Sequence, residues 1–511
     1  MMEKILVLDF GGQYNQLIAR RVREEHVYAE IRSYDRISPQ EIQGGGWRGI
    51  IFTGGPMSVY EEASPHYDPQ ILKAGIPILG ICYGAQLLAY LAGGTVSAAE
   101  GGSEYGKTEL HAARHILFRD VPEESVCWMS HTDFISAPPA GYRVIASTPK
   151  CPCAALADDE KKLYGVQFHP EVTHTAYGKQ ILHNFLYRIC LCRGDWDAAD
   201  YAEQAIARYR ASLAGKKVLL ALSGGVDSSV AALLLHRAIG QDLICVFVDH
   251  GLLRKGEADL VEKTFRETFG VRLIRVDAQE RFLRRLASIT APERKRKIIG
   301  EEFIRVFEEE ARKIGHVHAL AQGTIYTDVI ESGKGASAVI KSHHNVGGLP
   351  ERISFDEIVE PLRDLFKDEV RTVGTMLGLP RELVWRQPFP GPGLAVRIIG
   401  EVSARKVQIL QAADAIFREE VDRLPQKQRP DQYFAVITDT RTVGVMGDAR
   451  TYGYTVALRA VSTDDFMTAD WSRIPFEVLE RASSRITGEV AGISRVVYDI
   501  SSKPPATVEW E

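Results

Sequence analysis

An α/β fold is expected for this chain of 511 residues, as two successive parallel-sheet α/β domains followed by a C-terminal α+β module. Three observations predict it. Short apolar runs alternate with amphipathic stretches over residues 1–195, as strands joined by crossover helices do. The alternation starts afresh at Lys217 and runs to about residue 387 in a doubly wound pattern. Past Arg386 the texture changes: QPFPGPGL, residues 387–394, holds prolines and glycines that no regular element interior accepts.

In the first region Lys4–Asp9 (KILVLD) reads as a buried strand, Gln13–Arg23 as a helix and Gly49–Thr53 as a second strand. Ile76–Cys82 is a strand and Ala85–Ala92 a helix; a strand at Leu163–Phe168 and a helix near Tyr177–Cys192 follow. The polar stretch Gly194–Leu213 suits a connecting helix. In the second region Lys217–Leu222, Leu243–Asp249, Leu273–Asp277 and His318–Ala321 read as strands, with helices at Asp227–Ile239 and Ala258–Phe269. The last region, 388–511, offers a long helix at about Val402–Leu424 and strands at Tyr433–Thr438 and Tyr454–Val461. A helix near Pro475–Ile486 and a strand at Val496–Ile500 complete it. No internal repeat is evident.

Hydrophobic residues make up 45% and charged residues 25%, the balance of a soluble globular protein. The net charge is −5, so no global basic field draws the chain to nucleic acid or anionic lipid. No apolar run approaches the roughly 20 residues a membrane span needs. The chain enters a strand-like run at once, so no signal peptide is expected. Seven cysteines, without a Cys/His set of zinc spacing, fit a reducing cytoplasm.

Gly80-Ile81-Cys82-Tyr83-Gly84-Ala85-Gln86 follows a strand and opens a helix. Small neighbours allow a sharp turn that presents the sulfur, and the helix N-terminus favours a thiolate. Taken alone, the segment also fits a structural cysteine beside a glycine turn. His169 and Glu171 stand two apart in Phe168-His169-Pro170-Glu171, so an extended chain points both to one side. There Glu171 can fix the imidazole while His169 takes a proton from Cys82. Thr53-Gly54-Gly55-Pro56 follows another strand; its glycines either make a plain turn or leave N–H groups facing an oxyanion.

These three segments, in this order, resemble the class I glutamine amidotransferases. The resemblance implies a γ-glutamyl thioester on Cys82, His169 as general acid/base and Glu171 as its orienter. It further implies an oxyanion hole from the N–H groups of Gly55 and Tyr83, with Gln86 helping to hold glutamine. Ser130-His131-Thr132-Asp133 matches a family stretch in which glycine usually stands at the place of Thr132, and makes Asp133 a glutamine contact.

Ser223-Gly224-Gly225-Val226-Asp227-Ser228-Ser229 joins a buried strand to a helix. Exposed N–H groups, hydroxyls and a helix N-terminus together cradle phosphate. No lysine follows the second glycine, which excludes the G-x-x-x-x-G-K-[ST] loop. The segment resembles the ATP pyrophosphatase signature, whose enzymes transfer AMP to a substrate oxygen and release pyrophosphate. Phe247–Gly251 ends the next strand, where such sheets place ligands.

Gln322–Ser332 follows a strand and continues toward Lys341–Gly348, a long Gly/Ser/His-bearing loop suited to a lid. In it Asp328 and Glu331 offer Mg²⁺ the oxygen ligands it takes beside phosphate, and Lys341 a cation for the phosphate under attack. The basic run Arg294–Lys297 reads as a solvated helix face, but PERKRKIIGEEF resembles the glutamine-dependent GMP synthetase family, as do Tyr498–Glu511 at the end of the chain. That resemblance spans the chain and implies Mg²⁺ with ATP, with glutamine and XMP as the other substrates. Arg296, Lys503 and Glu509 then contact XMP, and residues from about 388 form a homodimerisation module. Thr327 stands where the family usually has proline. Other readings are an amidotransferase for a different acceptor and a nucleotide sensor with an idle glutaminase; net charge and the full-length match disfavour nucleic-acid modification.

Overall fold

Lys4–Asp9 is buried along nearly its whole length, as a strand covered on both faces must be, and it seeds a nine-stranded sheet. The computed structural model describes residues 3–98, 103–332, 355–446, 449–463 and 468–511. The chain folds as two units, Met1–Tyr201 and Ala202–Glu511.

In the first unit five parallel strands lie side by side: Tyr28–Ser33, Lys4–Asp9, Gly49–Phe52, Ile78–Ile81 and Leu163–Val166. Four antiparallel strands extend the sheet, in the order Ala155–Asp158, Arg143–Ser147, Glu104–Ala112 and Glu124–His131. The sheet is therefore mixed rather than wholly parallel. Its antiparallel half escapes an apolar-run reading because it is only partly covered: in Glu104–Ala112 buried and open positions are interleaved. The carboxyl ends of three neighbouring strands, Gly49–Phe52, Ile78–Ile81 and Leu163–Val166, release the chain at one edge. There the segments carrying Gly55, Cys82 and His169 begin.

The second unit holds a five-stranded all-parallel sheet, ordered Arg272–Asp277, Leu243–Asp249, Val218–Ala221, Ala319–Ala321, Glu357–Val359. The chain winds outward one way from Val218–Ala221 and then crosses to its other side at Ala319–Ala321. Ligands of open α/β sheets sit outside the strand ends at such a switch point. Beyond residue 388 the irregular Pro/Gly segment leads to helix Ala404–Asp422 and a long antiparallel hairpin, Gln432–Met446 with Ala449–Ser462. Ile493–Asp499 joins the hairpin in parallel, and helix Phe476–Glu489 covers it. One buried cluster joins Leu219 and Ile244 of the parallel sheet, and Phe282 of helix Gln279–Leu286, to Leu410, Phe417, Val456 and Ile486 of the C-terminal layer.

Candidate active site

Cys82 stands between strand Ile78–Ile81 and helix Tyr83–Leu91 with φ +53°, a left-handed backbone that a side chain other than glycine seldom adopts. The turn is held from both sides. Cys82 N–H donates to the Val166 carbonyl at 2.8 Å, and the Cys82 carbonyl accepts from the N–H groups of Ala85 and Gln86. The glycines explain how the backbones come so close. A Cβ on Gly80 would lie 2.4 Å from the Gly84 carbonyl oxygen, and one on Gly84 2.4 Å from that of Phe52. Strain at Cys82 is thus imposed by packing that only glycine permits.

His169 follows the neighbouring strand, and its Nδ1 is 2.7 Å from Glu171 Oε1. Both are buried, Glu171 almost wholly. Burial alone would push the His169 imidazole down, but the Glu171 carboxylate and a hydrogen-bonded Cys82 sulfur outweigh it and hold its pKa well above the ordinary histidine value. Tyr14 meets the imidazole edge-on with ring centres 5.2 Å apart, and Thr175 Oγ1 donates to the His169 carbonyl at 2.6 Å. Cys82, His169 and Glu171 therefore converge from two adjacent strand ends. The N–H groups of Gly55 and Tyr83 have no acceptor among the described residues.

Gln86 is buried and donates to the Asp133 carbonyl at 2.8 Å and to Gln167 Oε1 at 3.2 Å. The Asp133 carboxylate accepts from Ser58 and, at 3.1 Å, from Tyr60. Gln167 Nε2 in turn lies 3.8 Å from Cys82 Sγ, which is 3.7 Å from the Ser130 carbonyl oxygen. Thr132 is exposed and makes its bend without a positive φ, so glycine is not required there. Ser58 and Tyr60 carry no motif of their own, whereas Gln167 stands in GVQFHPE, residues 165–171, just ahead of His169.

In the second unit residues 223–229 leave the switch point into helix Val226–Ile239. Gly224 has φ +76°, and Ser223 N–H and Oγ both meet Ser228 Oγ. The next loop comes close: a Cβ on Gly323 would lie 3.1 Å from Ser228 N. Asp227 Oδ1, Ser229 Oγ and Thr324 Oγ1 are buried there with no hydrogen-bond partner among the described residues. Three orphaned polar atoms at one strand edge fit a polar ligand that supplies the missing bonds. Asp227 Oδ2 pairs with Lys367 Nζ at 2.5 Å, while Arg386 donates to the Gly224 carbonyl and pairs with Glu257 at 2.5 Å. Lys367 and Arg386 stand in no recognisable motif; topology alone brings them to the loop. His250, on the next strand end, is buried and held down to about 4 by desolvation, against the pull of Asp249 and Glu257.

The remaining expected residues lie as follows. Asp328 Oδ2 accepts the Ile325 N–H at 3.0 Å in helix Tyr326–Ser332, where Thr327 occupies the first turn, a place equally open to proline. The Glu331 side chain and all of Lys341 fall outside the described residues. Arg296 donates to a Glu511 oxygen, and its Nε pairs with Glu293 at 3.4 Å. Glu509 is bound by both arms of Arg397, at 2.9 and 2.8 Å. Lys503 pairs through its backbone with Ala469. Of a Mg²⁺ set, the orphaned Asp227 Oδ1 is the oxygen that fits a cation carried in with phosphate.

Known proteins align with this sequence. Family models described as "Glutamine amidotransferase class-I", "tRNA methyl transferase HUP domain" and "GMP synthase C terminal domain" match residues 6–189, 216–288 and 419–510. The chain is 61% identical over 510 residues to the GMP synthase (glutamine-hydrolyzing) of Acetivibrio thermocellus, covering 100% of this chain and 99% of that one. Its counterpart in Ruminiclostridium cellulolyticum is 60% identical over the same length, with the same shares covered. Likeness of this degree along the entire sequence shows that the chain belongs to the glutamine-hydrolysing GMP synthase family.

Proposed function

We propose that this chain makes GMP from XMP, ATP and glutamine, releasing AMP, pyrophosphate and glutamate. The carrying observation is the convergence of Cys82, His169 and Glu171 in a chain whose second unit opens residues 223–229 at its sheet's switch point. In the first unit His169 takes the thiol proton as Cys82 Sγ attacks the glutamine amide carbon. The oxyanion falls to the N–H groups of Gly55 and Tyr83. His169 returns the proton to the departing ammonia, and water then cleaves the thioester to glutamate. Asp133, seated by Ser58, Tyr60 and Gln86, belongs to the wall that grips the substrate.

In the second unit the 223–229 loop takes the ATP phosphates while Lys367 and Arg386 hold that loop in shape. The C2 oxygen of XMP attacks the α-phosphorus and pyrophosphate leaves; ammonia then displaces AMP from the purine carbon. Asp227, with Asp328 and Glu331 as further candidates, would hold Mg²⁺, which when bound would neutralise charge on the leaving phosphates. Arg296, Lys503 and, more remotely, Glu509 belong to the XMP end; Lys341 belongs to the lid. The C-terminal layer is the surface for a homodimer, and the setting is cytoplasmic. The test is to supply XMP, ATP, Mg²⁺ and glutamine and measure all products. AMP, GMP and glutamate are expected in equal amounts, with Cys82→Ala losing glutamine-dependent but not ammonia-dependent GMP formation. AMP release with another acceptor but not with XMP defeats the reading.

A further inference from the structure

Behind the glutaminase pocket lies a group of side chains that the reaction does not use. Glu104, His131 and Cys151 are all buried, and one ligand atom from each lies within 4.8 Å of the other two. They arrive from three places: strand Glu104–Ala112, the end of strand Glu124–His131, and the turn before strand Ala155–Asp158. The imidazole is already oriented. Its Nδ1 is 2.9 Å from the Asp133 carbonyl oxygen, which only accepts, so Nδ1 carries the hydrogen. Nε2 then turns a lone pair toward Glu104 Oε2 at 3.4 Å. Two acceptors facing each other in a buried place need a proton or a cation between them.

The surroundings favour a cation. A metal-bound histidine donates its other N–H to a carbonyl or carboxylate, as His131 does. A ligating carboxylate is itself hydrogen-bonded; Thr148 Oγ1 lies 2.9 Å from both oxygens of Glu104, and the same oxygen receives the Cys151 N–H at 3.0 Å. Nitrogen, oxygen and sulfur donors together suit a zinc-class ion. A tetrahedral ion holds its ligand atoms roughly 3.5 Å apart, so a contraction of about an ångström brings the three protein donors onto one ion and leaves its fourth position to water.

We propose that Glu104, His131 and Cys151 form a buried site for a zinc-class divalent ion that fixes the backbone of residues 130–133. Binding forms a metal–sulfur bond and releases the thiol proton to solvent. The site reaches the chemistry through that backbone: the Ser130 carbonyl oxygen is 3.7 Å from Cys82 Sγ, and Asp133 anchors Gln86. Its three residues are positioning residues and touch no reacting atom.

The test uses the full chain carrying Cys82→Ala, which removes the catalytic thiol as a competing ligand, titrated with cobalt(II) as probe. One equivalent is expected to bind with a sulfur-to-cobalt charge-transfer band, and zinc to compete it away. Adding Cys151→Ala should abolish the band, and Glu104→Gln, nearly isosteric, should weaken binding by more than the roughly 10–100-fold that losing an outer-shell partner costs, whereas Cys245→Ala should change nothing. Zinc should raise the first unit's melting temperature in the parent chain and not in the Cys151→Ala chain. No charge-transfer band, or a band that survives Cys151→Ala, overturns the proposal. Should Cys151→Ala fail to fold, undiminished cobalt affinity in Glu104→Gln overturns it equally.

Discussion

At the scale of the residue, the Glu171 carboxylate is the strongest lever on the glutaminase. It is the foremost cause raising His169 against desolvation. Glu171→Gln keeps the shape and removes the charge, so the imidazole pKa should fall toward or below the ordinary value of 6.5. Glutamine hydrolysis should drop about 10²–10⁴-fold while ammonia-dependent synthesis persists. NMR titration of the His169 ring reads the cause directly, and an unmoved pKa in Glu171→Gln would show that the charge is not responsible. A stability consequence follows. His169 binds its proton more tightly folded than unfolded, so the stabilisation is full below about pH 6.5 and fades as pH rises through the raised folded value. Glu171→Gln should flatten that decline in the first unit.

At the scale of the element, the elbow depends on a helix pressed against a strand at backbone distance. Gly84→Ala places a methyl 2.4 Å from the Phe52 carbonyl oxygen, an atom that no rotamer change can move aside. The helix must lift, at about 1–3 kcal/mol, and Cys82 moves with it. Denaturant unfolding should show that loss together with a lower glutaminase rate; wild-type behaviour in both would mean the contact is not tight. The sequence exposes this element well, because glycines at 80 and 84 flank a lone cysteine between an apolar run and a helical one. Covered strands such as Lys4–Asp9 and Leu243–Asp249 are equally plain, being apolar throughout. The antiparallel strands between Glu104 and Asp158 are not, since a half-open ribbon shares its alternation with many loops. The same limit hid Ser58, Tyr60 and Lys367. Their work is to hydrogen-bond a neighbour that only the fold brings near.

At the scale of the whole molecule, the last residues act as a fastening for the second unit. Arg397 is fully buried, lies over the Phe434 ring at 3.9 Å and grips Glu509 with two hydrogen bonds. Lys295, from helix Pro292–Ile314, is equally buried and meets Glu511, while Arg459 collects the carbonyls of Ser501, Thr507 and Val508. Three separated parts of the unit thus hold one strand of tail. The two acid–base pairs are unequal. Burial pushes the Lys295 ammonium down and Glu511 pushes it back up, so without Glu511 the lysine can shed its proton and escape the cost of a buried charge. A guanidinium has no such escape. Breaking a buried pair by removing one partner costs about 3–5 kcal/mol, and Glu509→Gln should lie at the lower end, because Glu509 is itself 20% exposed. Glu511→Gln should cost less again. Unfolding followed separately in the two units should therefore place the variants in that order in the second unit and leave basal glutamine hydrolysis untouched. A larger loss from Glu511→Gln than from Glu509→Gln would mean that the lysine, not the arginine, carries the fastening.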